Sequence, residues 1–472
     1  MIFNSLAFLI FLPVVLVLVA TLPKRWRNAM LLVASYIFYG YWDWRFVGLL
    51  FATTVVDFWV GQHIYATNDR LRRRRILLLS LGVNLGALGF FKYFNFFIYS
   101  AAAALQSVGL HGSIPTLSII LPVGISFYVF QSMSYTIDIY RREMEPAQSF
   151  WDFALYVAYF PQLVAGPIER ATHLLPQIVN PGRFSPERAN IAVVLIIVGF
   201  AKKVLIADNL APEVERIFSD PGHMSSGELL RGAYYFAFQI YGDFAGYSDI
   251  ARGVSELLGI RLMFNFNQPY LSQSITEFWR RWHISLSTWL RDYLYVPLGG
   301  NRLGEWKTYR NLMLTMLIGG LWHGANWTFV AWGGINGLYL AVERRLGIGR
   351  GLSAAEANPA LQWVGRVALT LLTFHLVTLT WIFFRAPNFG VAFEYLAGIA
   401  QLRDLTAIGV WPFAVAAALL AIDIPQNRSG DHAVFLRMPW WVQSPVYCGL
   451  AFAVLGRLLW GGKELPFIYF QF

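Results

Sequence analysis

Apolar stretches recur along the whole chain, and this repetition limits what the polypeptide can become more than any single motif does. The runs are 3–21, 29–41, 46–66, 76–99, 114–138, 151–165, 189–206, 228–242, 308–325, 326–342, 361–384, 388–402, 409–424 and 439–460. Inside hydrocarbon every backbone polar group must find a partner within the protein, which helices achieve by themselves. Several runs fall short of the ~20 residues a spanning helix needs, and these read as tilted, kinked or re-entrant helices packed within protein. The fold expected is therefore an all-α polytopic membrane protein, with about eleven crossings and further re-entrant or interfacial helices. Composition agrees: 57% of residues are hydrophobic and only 14% charged, against ~25% charged in a soluble domain.

The basic residues supply an orientation. Lys24, Arg25 and Arg27 follow the first apolar run, Arg70 and Arg72 to Arg75 the third, and Arg141 and Arg142 the fifth, while residues 100–113 hold no Lys or Arg. Under the positive-inside rule this alternation predicts an N-terminus outside the cytoplasm. No positive region precedes the first run, so it reads as a permanent helix and not as a cleaved signal. The net charge of +10 then describes a cytoplasmic rim facing anionic lipid. Nucleic acid is the weaker partner, because no basic segment is interleaved with aromatics on a soluble surface.

Several chemistries lack their residues. The single cysteine, Cys448, lies in the last apolar run, where it can form no internal disulfide and reads as a small buried hydrophobe. The eight histidines are scattered with no zinc spacing, and neither a P-loop nor a dinucleotide fingerprint occurs. No metal and no permanently bound cofactor is expected.

Two stretches do carry chemistry. In Leu321-Trp322-His323-Gly324-Ala325-Asn326-Trp327 an imidazole stands inside an apolar run, 13 residues beyond Arg310. At ~1.5 Å per helical residue that is roughly 20 Å from the charged end, and an ionisable group at such depth is a functional-site hypothesis by default. The plainer reading is a core histidine satisfied by Asn326 or a backbone carbonyl. The second stretch lies between 242 and 308, too charged to span and too aromatic for a solvated linker. Its run Thr276-Glu277-Phe278-Trp279-Arg280-Arg281-Trp282-His283-Ile284-Ser285-Leu286-Ser287 reads as a helix at or dipping into the membrane, with Glu277 four residues before Arg281. On one such helix His283 would share a face with Arg280 and Ser287. A basic amphipathic helix pinned at the interface by Trp279, Trp282 and Trp289 fits equally well.

These segments, together with Phe264-Asn265-Phe266-Asn267-Gln268-Pro269-Tyr270, Leu298-Gly299-Gly300-Asn301-Arg302 and Gly319-Gly320-Leu321-Trp322-His323-Gly324-Ala325, closely resemble the membrane-bound O-acyltransferase family, in its bacterial alginate O-acetyltransferase branch. The resemblance extends to Leu121-Pro122-Val123-Gly124-Ile125-Ser126-Phe127-Tyr128, Val164-Ala165-Gly166-Pro167-Ile168, Asp243-Phe244-Ala245-Gly246-Tyr247-Ser248-Asp249 and the closing Phe467-Ile468-Tyr469-Phe470-Gln471-Phe472, and so covers nearly the whole chain. Residues 346–438 hold no matching motif.

The resemblance implies one membrane-embedded acyltransferase domain over 1–472: N-terminal helices in 1–110, a catalytic core in 111–345 and C-terminal helices in 346–472. A central tunnel would admit an acyl thioester from the cytoplasm and a hydroxyl acceptor from the outer side. His323 would be the catalytic histidine and His283 the second polar residue of the site, with Asn326, Trp322 and Ser287 in support. The donor implied is acetyl-CoA, used as a substrate, and the partners are membrane lipid, a periplasmic acetyltransferase and an exported polysaccharide. The residue chemistry is compatible, because acyl transfer to an alcohol needs a base near neutrality and histidine supplies one. Asn326 or His283 would orient the imidazole or stabilise an oxyanion. Arg280, Arg281 and Arg302 suit coenzyme A phosphates, although positive-inside topology alone also produces them. A D-alanyl transferase fed by a carrier protein and a transporter are the rival readings, and no second copy of either histidine motif supports the transporter.

Overall fold

The computed structural model describes residues 1–110, 117–348, 359–460 and 465–468. Positions 111–113 of the stretch without Lys or Arg and Tyr469 to Phe472 of the closing motif lie outside them, and residues 100–107 of that stretch are helical. Among the described residues every regular element is helical. Two compact units are present, one formed by residues 1–192 and 251–263, the other by residues 193–250 and 264–472.

The first unit holds α1 (Leu6–Thr21), α2 (Lys24–Asp43), α3 (Arg45–Ala66), α4 (Arg70–Leu88), α5 (Ile125–Arg141), α6 (Phe150–Ala158) and α7 (Ala171–Val179). Short polar side chains start these helices by accepting otherwise unmatched amides: Ser5 takes that of Phe8, Asp69 those of Leu71 and Arg72, and Ser149 that of Asp152. Arg70, Arg72, Arg74 and Arg75 are exposed at the start of α4, where cations oppose the helix dipole. Their placement answers to the membrane and not to the helix. Arg27, also read as a topology charge, is instead buried and donates to the Leu258 carbonyl at 2.5 Å. Gly124 enters α5 at φ 73°, and a Cβ there would lie 2.6 Å from the Leu163 carbonyl oxygen and 3.3 Å from the Cα atom of Val164. Two of the recognised motifs thus meet backbone to backbone at a residue where only glycine fits.

The second unit takes in the last residues of α8 (Pro186–Phe200), then α9 (Asp208–Ser219) and most of α10 (Ser226–Leu257). It continues through α11 (Ile275–Arg281), α12 (Ile284–Leu290), α13 (Glu305–His323), α14 (Trp327–Leu346), α15 (Pro359–Arg385), α16 (Phe389–Ala400), α17 (Trp411–Ser429) and α18 (Trp440–Trp460).

Five helical stretches among the described residues are long and apolar enough to cross a bilayer: 45–66, 70–107, 186–219, 360–385 and 440–460. At ~1.5 Å per residue the 22 residues of α3 reach about 33 Å, enough for a ~30 Å core. Other helices are less apolar for a physical reason. α10, for example, buries Gln239, Asp243 and Asp249 against protein, so its composition is not what lipid would demand. Cys448 corrects an expectation: it is exposed on α18, a helix whose apolar window is only 6% buried in protein. In a helix that meets lipid, an apolar residue needs no protein cover.

Candidate active site

His283 owes its position to a break in the chain. The single helix expected across Thr276 to Ser287 is two seven-residue helices, α11 and α12. Ser274 starts α11 by accepting the Glu277 amide at 3.0 Å, and the Glu277–Arg281 pair closes at 2.6 Å with the expected spacing. Trp282 donates its amide back to Phe278 at 2.8 Å, after which His283 turns to φ 44° and ψ 55°. A left-handed backbone on a non-glycine residue costs about 1–3 kcal/mol and persists where surrounding structure imposes it. Two backbone bonds do so here: Ile284 donates to the Asn265 carbonyl and Asn267 donates to the Arg281 carbonyl, both at 2.9 Å. The shared face with Arg280 and Ser287 therefore does not exist. The Ser287 hydroxyl donates to the Trp282 carbonyl at 3.2 Å, and Arg280 is exposed while His283 is fully buried.

His323 is the last residue of α13 and is also buried. α13 and α14 form a hairpin of very close approach, with the Cα atom of Gly333 3.2 Å from a Cβ built on Gly320. Asn326 starts α14 by accepting the Thr328 amide at 3.0 Å, and its side-chain nitrogen donates to the Pro387 carbonyl at 2.7 Å. Its amide is committed on both sides, so the orienting role expected of it toward His323 has no support in the geometry. A helix start absorbs an Asn in that position for purely local reasons.

Packing of α11, α12, α13 and α14 brings the two imidazoles together, 40 residues apart in sequence, with ring centroids 6.2 Å apart. Their walls are aromatic. Phe244 meets His283 edge-on at 4.7 Å, and Trp322 lies 5.8 Å from His283 and 5.0 Å from His323. Trp332 and Phe384 pack on His323 at 5.1 and 5.3 Å. Such walls exclude water and strengthen every electrostatic interaction between them. His283 lies outside the five spanning stretches, and burial pushes its pKa down to about 3, so its ring is neutral at physiological pH.

Several positioning groups carried no sequence signal. Glu343, on α14, accepts the amides of Ile275 and Thr276 at 2.5 and 2.8 Å and the Thr276 hydroxyl at 2.7 Å. It thereby ties the start of α11 to the hairpin that bears His323. Lys202 and Lys203 lie in a wide helical turn, Ala201–Ala207, of the kind that recurs at functional sites. Lys202 pairs with Asp249 at 2.9 Å, and Lys203 with both Asp208 and Asp243 at 2.7 Å. Asp243 also accepts the Ile468 amide at 2.7 Å, and Phe467 packs on Phe244 at 5.4 Å. The Asp243–Asp249 motif thus neutralises two buried lysines and holds Phe244 against His283.

Of the arginines expected at the donor, Arg281 is held by Glu277 and by Asn427 at 2.8 Å, while Arg280 and Arg302 are exposed. Among the described residues no group of three His, Cys, Asp or Glu side chains could hold a metal ion.

Known proteins share this arrangement of sequence. The chain is 47% identical over 410 residues to a probable alginate O-acetylase AlgI of Azotobacter vinelandii, covering 86% of this chain and 79% of that protein. It is 37% identical over 410 residues to a peptidoglycan O-acetyltransferase of Helicobacter pylori, covering 81% and 75%. A teichoic acid D-alanyltransferase of Streptococcus thermophilus is 27% identical over 292 residues, covering 57% and 69%. The profile of the membrane-bound O-acyltransferase family matches residues 142–384, which include both buried histidines. A helical chain with apolar spans, that match and relatives alike over most of their length is a multi-pass membrane O-acyltransferase, and it belongs to the membrane-bound O-acyltransferase family.

Proposed function

We propose that this enzyme passes acetyl groups from cytoplasmic acetyl-CoA through a tunnel in the bacterial inner membrane to a hydroxyl acceptor, for O-acetylation of an exported polysaccharide such as alginate. The observation that carries the reading is the pair of buried imidazoles, His283 and His323, 6.2 Å apart between aromatic walls. Relatives named for alginate and peptidoglycan O-acetylation supply the polymer class. His323 takes the proton of the acceptor hydroxyl as its oxygen attacks the thioester carbonyl. The tetrahedral intermediate then collapses, the C–S bond breaks, and the imidazolium returns its proton to the departing thiolate. The acceptor is the polymer itself or a hydroxyl on a periplasmic acetyltransferase partner. Transfer of labelled acetyl from acetyl-CoA by the purified protein with its partners tests this reading. Activity with a carrier-protein thioester alone would favour the D-alanyl chemistry named for the streptococcal relative.

The donor side makes a kinetic prediction. If Arg280 and Arg302, both exposed, meet coenzyme A phosphates, Arg280→Ala and Arg302→Ala raise the KM for acetyl-CoA several-fold, most at low salt where screening is weakest. Saturated turnover falls less, because binding lost equally from ground and transition states alters KM. Arg281→Ala is expected to behave similarly but also to loosen α11, since it breaks the Glu277 and Asn427 contacts. Unchanged KM in all three returns these residues to setting topology alone.

Sidedness has its own test. A reporter fused in 67–75 is expected to read cytoplasmic and one in 100–113 periplasmic, because five arginines resist export and a stretch without Lys or Arg does not. The reverse pattern would exchange the donor and acceptor sides and place the N-terminus inside.

A further inference from the structure

Asn265 lies in the stretch before α11 and is 1% exposed, among fully buried neighbours. Its side-chain oxygen is the meeting point of three groups: the Ser285 amide at 3.1 Å, the Ser285 hydroxyl at 2.9 Å and His283 Nδ1 at 3.2 Å. The orientation of the Asn265 amide is not free. A backbone N–H can only donate, so the atom facing Ser285 N must be the oxygen, since a rotated amide would set donor against donor. An amide oxygen can only accept, so the group facing it on the imidazole must be an N–H. In a neutral ring one nitrogen carries the proton and the other a lone pair.

We infer that Asn265 is a positioning residue that holds His283 as the Nδ1-protonated tautomer, leaving Nε2 as a hydrogen-bond acceptor. The inference rests on the proposed acyl transfer and sharpens it. A neutral His283 so held cannot donate to an oxyanion through Nε2; it accepts a hydrogen bond from the acceptor alcohol and orients it toward the acyl carbon, while His323 takes the proton. Oxyanion stabilisation then falls to another donor. Backbone geometry makes the clamp rigid, because the Asn265 carbonyl also accepts the Ile284 amide at 2.9 Å, fixing both ends of the same residue against the His283 turn.

The tautomer can be read without any activity. In the full-length protein labelled with 15N-histidine, with His283→Gln used to assign the signal, His283 is expected to show a protonated Nδ1 and a pyridine-type Nε2. A proton on Nε2 in the wild type would overturn the inference. Kinetics supply the second arm. Asn265→Ala is expected to lower kcat by at least ~10-fold with little change in the acceptor KM, since a histidine triad held in the wrong tautomer can lose ~10⁴. Asn265→Asp keeps an acceptor oxygen of the same shape and is expected to recover much of that loss. In a double-mutant cycle, Asn265→Ala should cost little more once His283 is Gln, as two residues acting as one unit are not additive. Full additivity would return Asn265 to a structural role. If the wild type transfers no acetyl group, the functional reading fails, while the nitrogen spectra still decide the tautomer.

Discussion

Replacing His323 by alanine is expected to abolish acetyl transfer while leaving a membrane protein that inserts and can be purified. General base catalysis contributes ~10²–10⁴ in rate, and the other buried imidazole, His283, is assigned to orient the alcohol and not to take its proton. His323 is 4% exposed and packs against Trp322, Trp332 and Phe384, so truncation also opens a cavity. His323→Gln is the control, since it fills most of that space and removes the base. Both variants should lose at least ~100-fold in turnover, and the glutamine should unfold close to the wild-type temperature in detergent. Turnover near the wild-type rate in either variant would end the role proposed for this residue.

Gly333→Ala is expected to damage the protein far more than its neighbour Gly334→Ala. A Cβ at Gly333 would stand 2.2 Å from the Met316 carbonyl oxygen and 3.2 Å from the Cα atom of Gly320, so backbone must move. At Gly334 the nearest atom is a methyl group of the Leu317 side chain, at 3.3 Å, which can rotate away. Overpacking of this kind typically costs about 1–3 kcal/mol. In a membrane bundle small residues are what permit close helix approach in the first place. The displacement would also reach the chemistry, because α14 carries Trp332 against His323 and Glu343 against the start of α11. Thermal unfolding and acetyl transfer should therefore fall together in Gly333→Ala and stay near wild type in Gly334→Ala. Equal behaviour of the two variants would contradict the close contact of α13 with α14.

What could be read along the chain is what depends on neighbours in sequence. The repeated apolar runs set the helical membrane class, because hydrocarbon leaves few other ways to satisfy a backbone. The Glu277–Arg281 pair followed from one turn of helix. His323 stood out because an ionisable group in an apolar run has a cost that composition makes visible.

What only the tertiary structure decided is how distant side chains are paired. The αL turn at His283 split one expected helix into two and removed its shared face with Arg280 and Ser287. A positive φ on a histidine leaves no trace in hydrophobic periodicity. Asn326 had the right type and place for an orienting group, yet a local helix start and the Pro387 carbonyl took both ends of its amide. Glu343, Lys202 and Lys203 are unremarkable in one dimension, Asn265 lies in a recognised motif but had no role there, and all four become meaningful only where packing delivers their partners. The sequence by itself determined the solvent each helix was made for, since burial preference is a property of residues taken one at a time. Which polar groups meet inside that bundle was decided by the fold, because a hydrogen bond needs its two atoms within about 3 Å, and only packing brings Asn265 and His283, 18 positions apart, to that range.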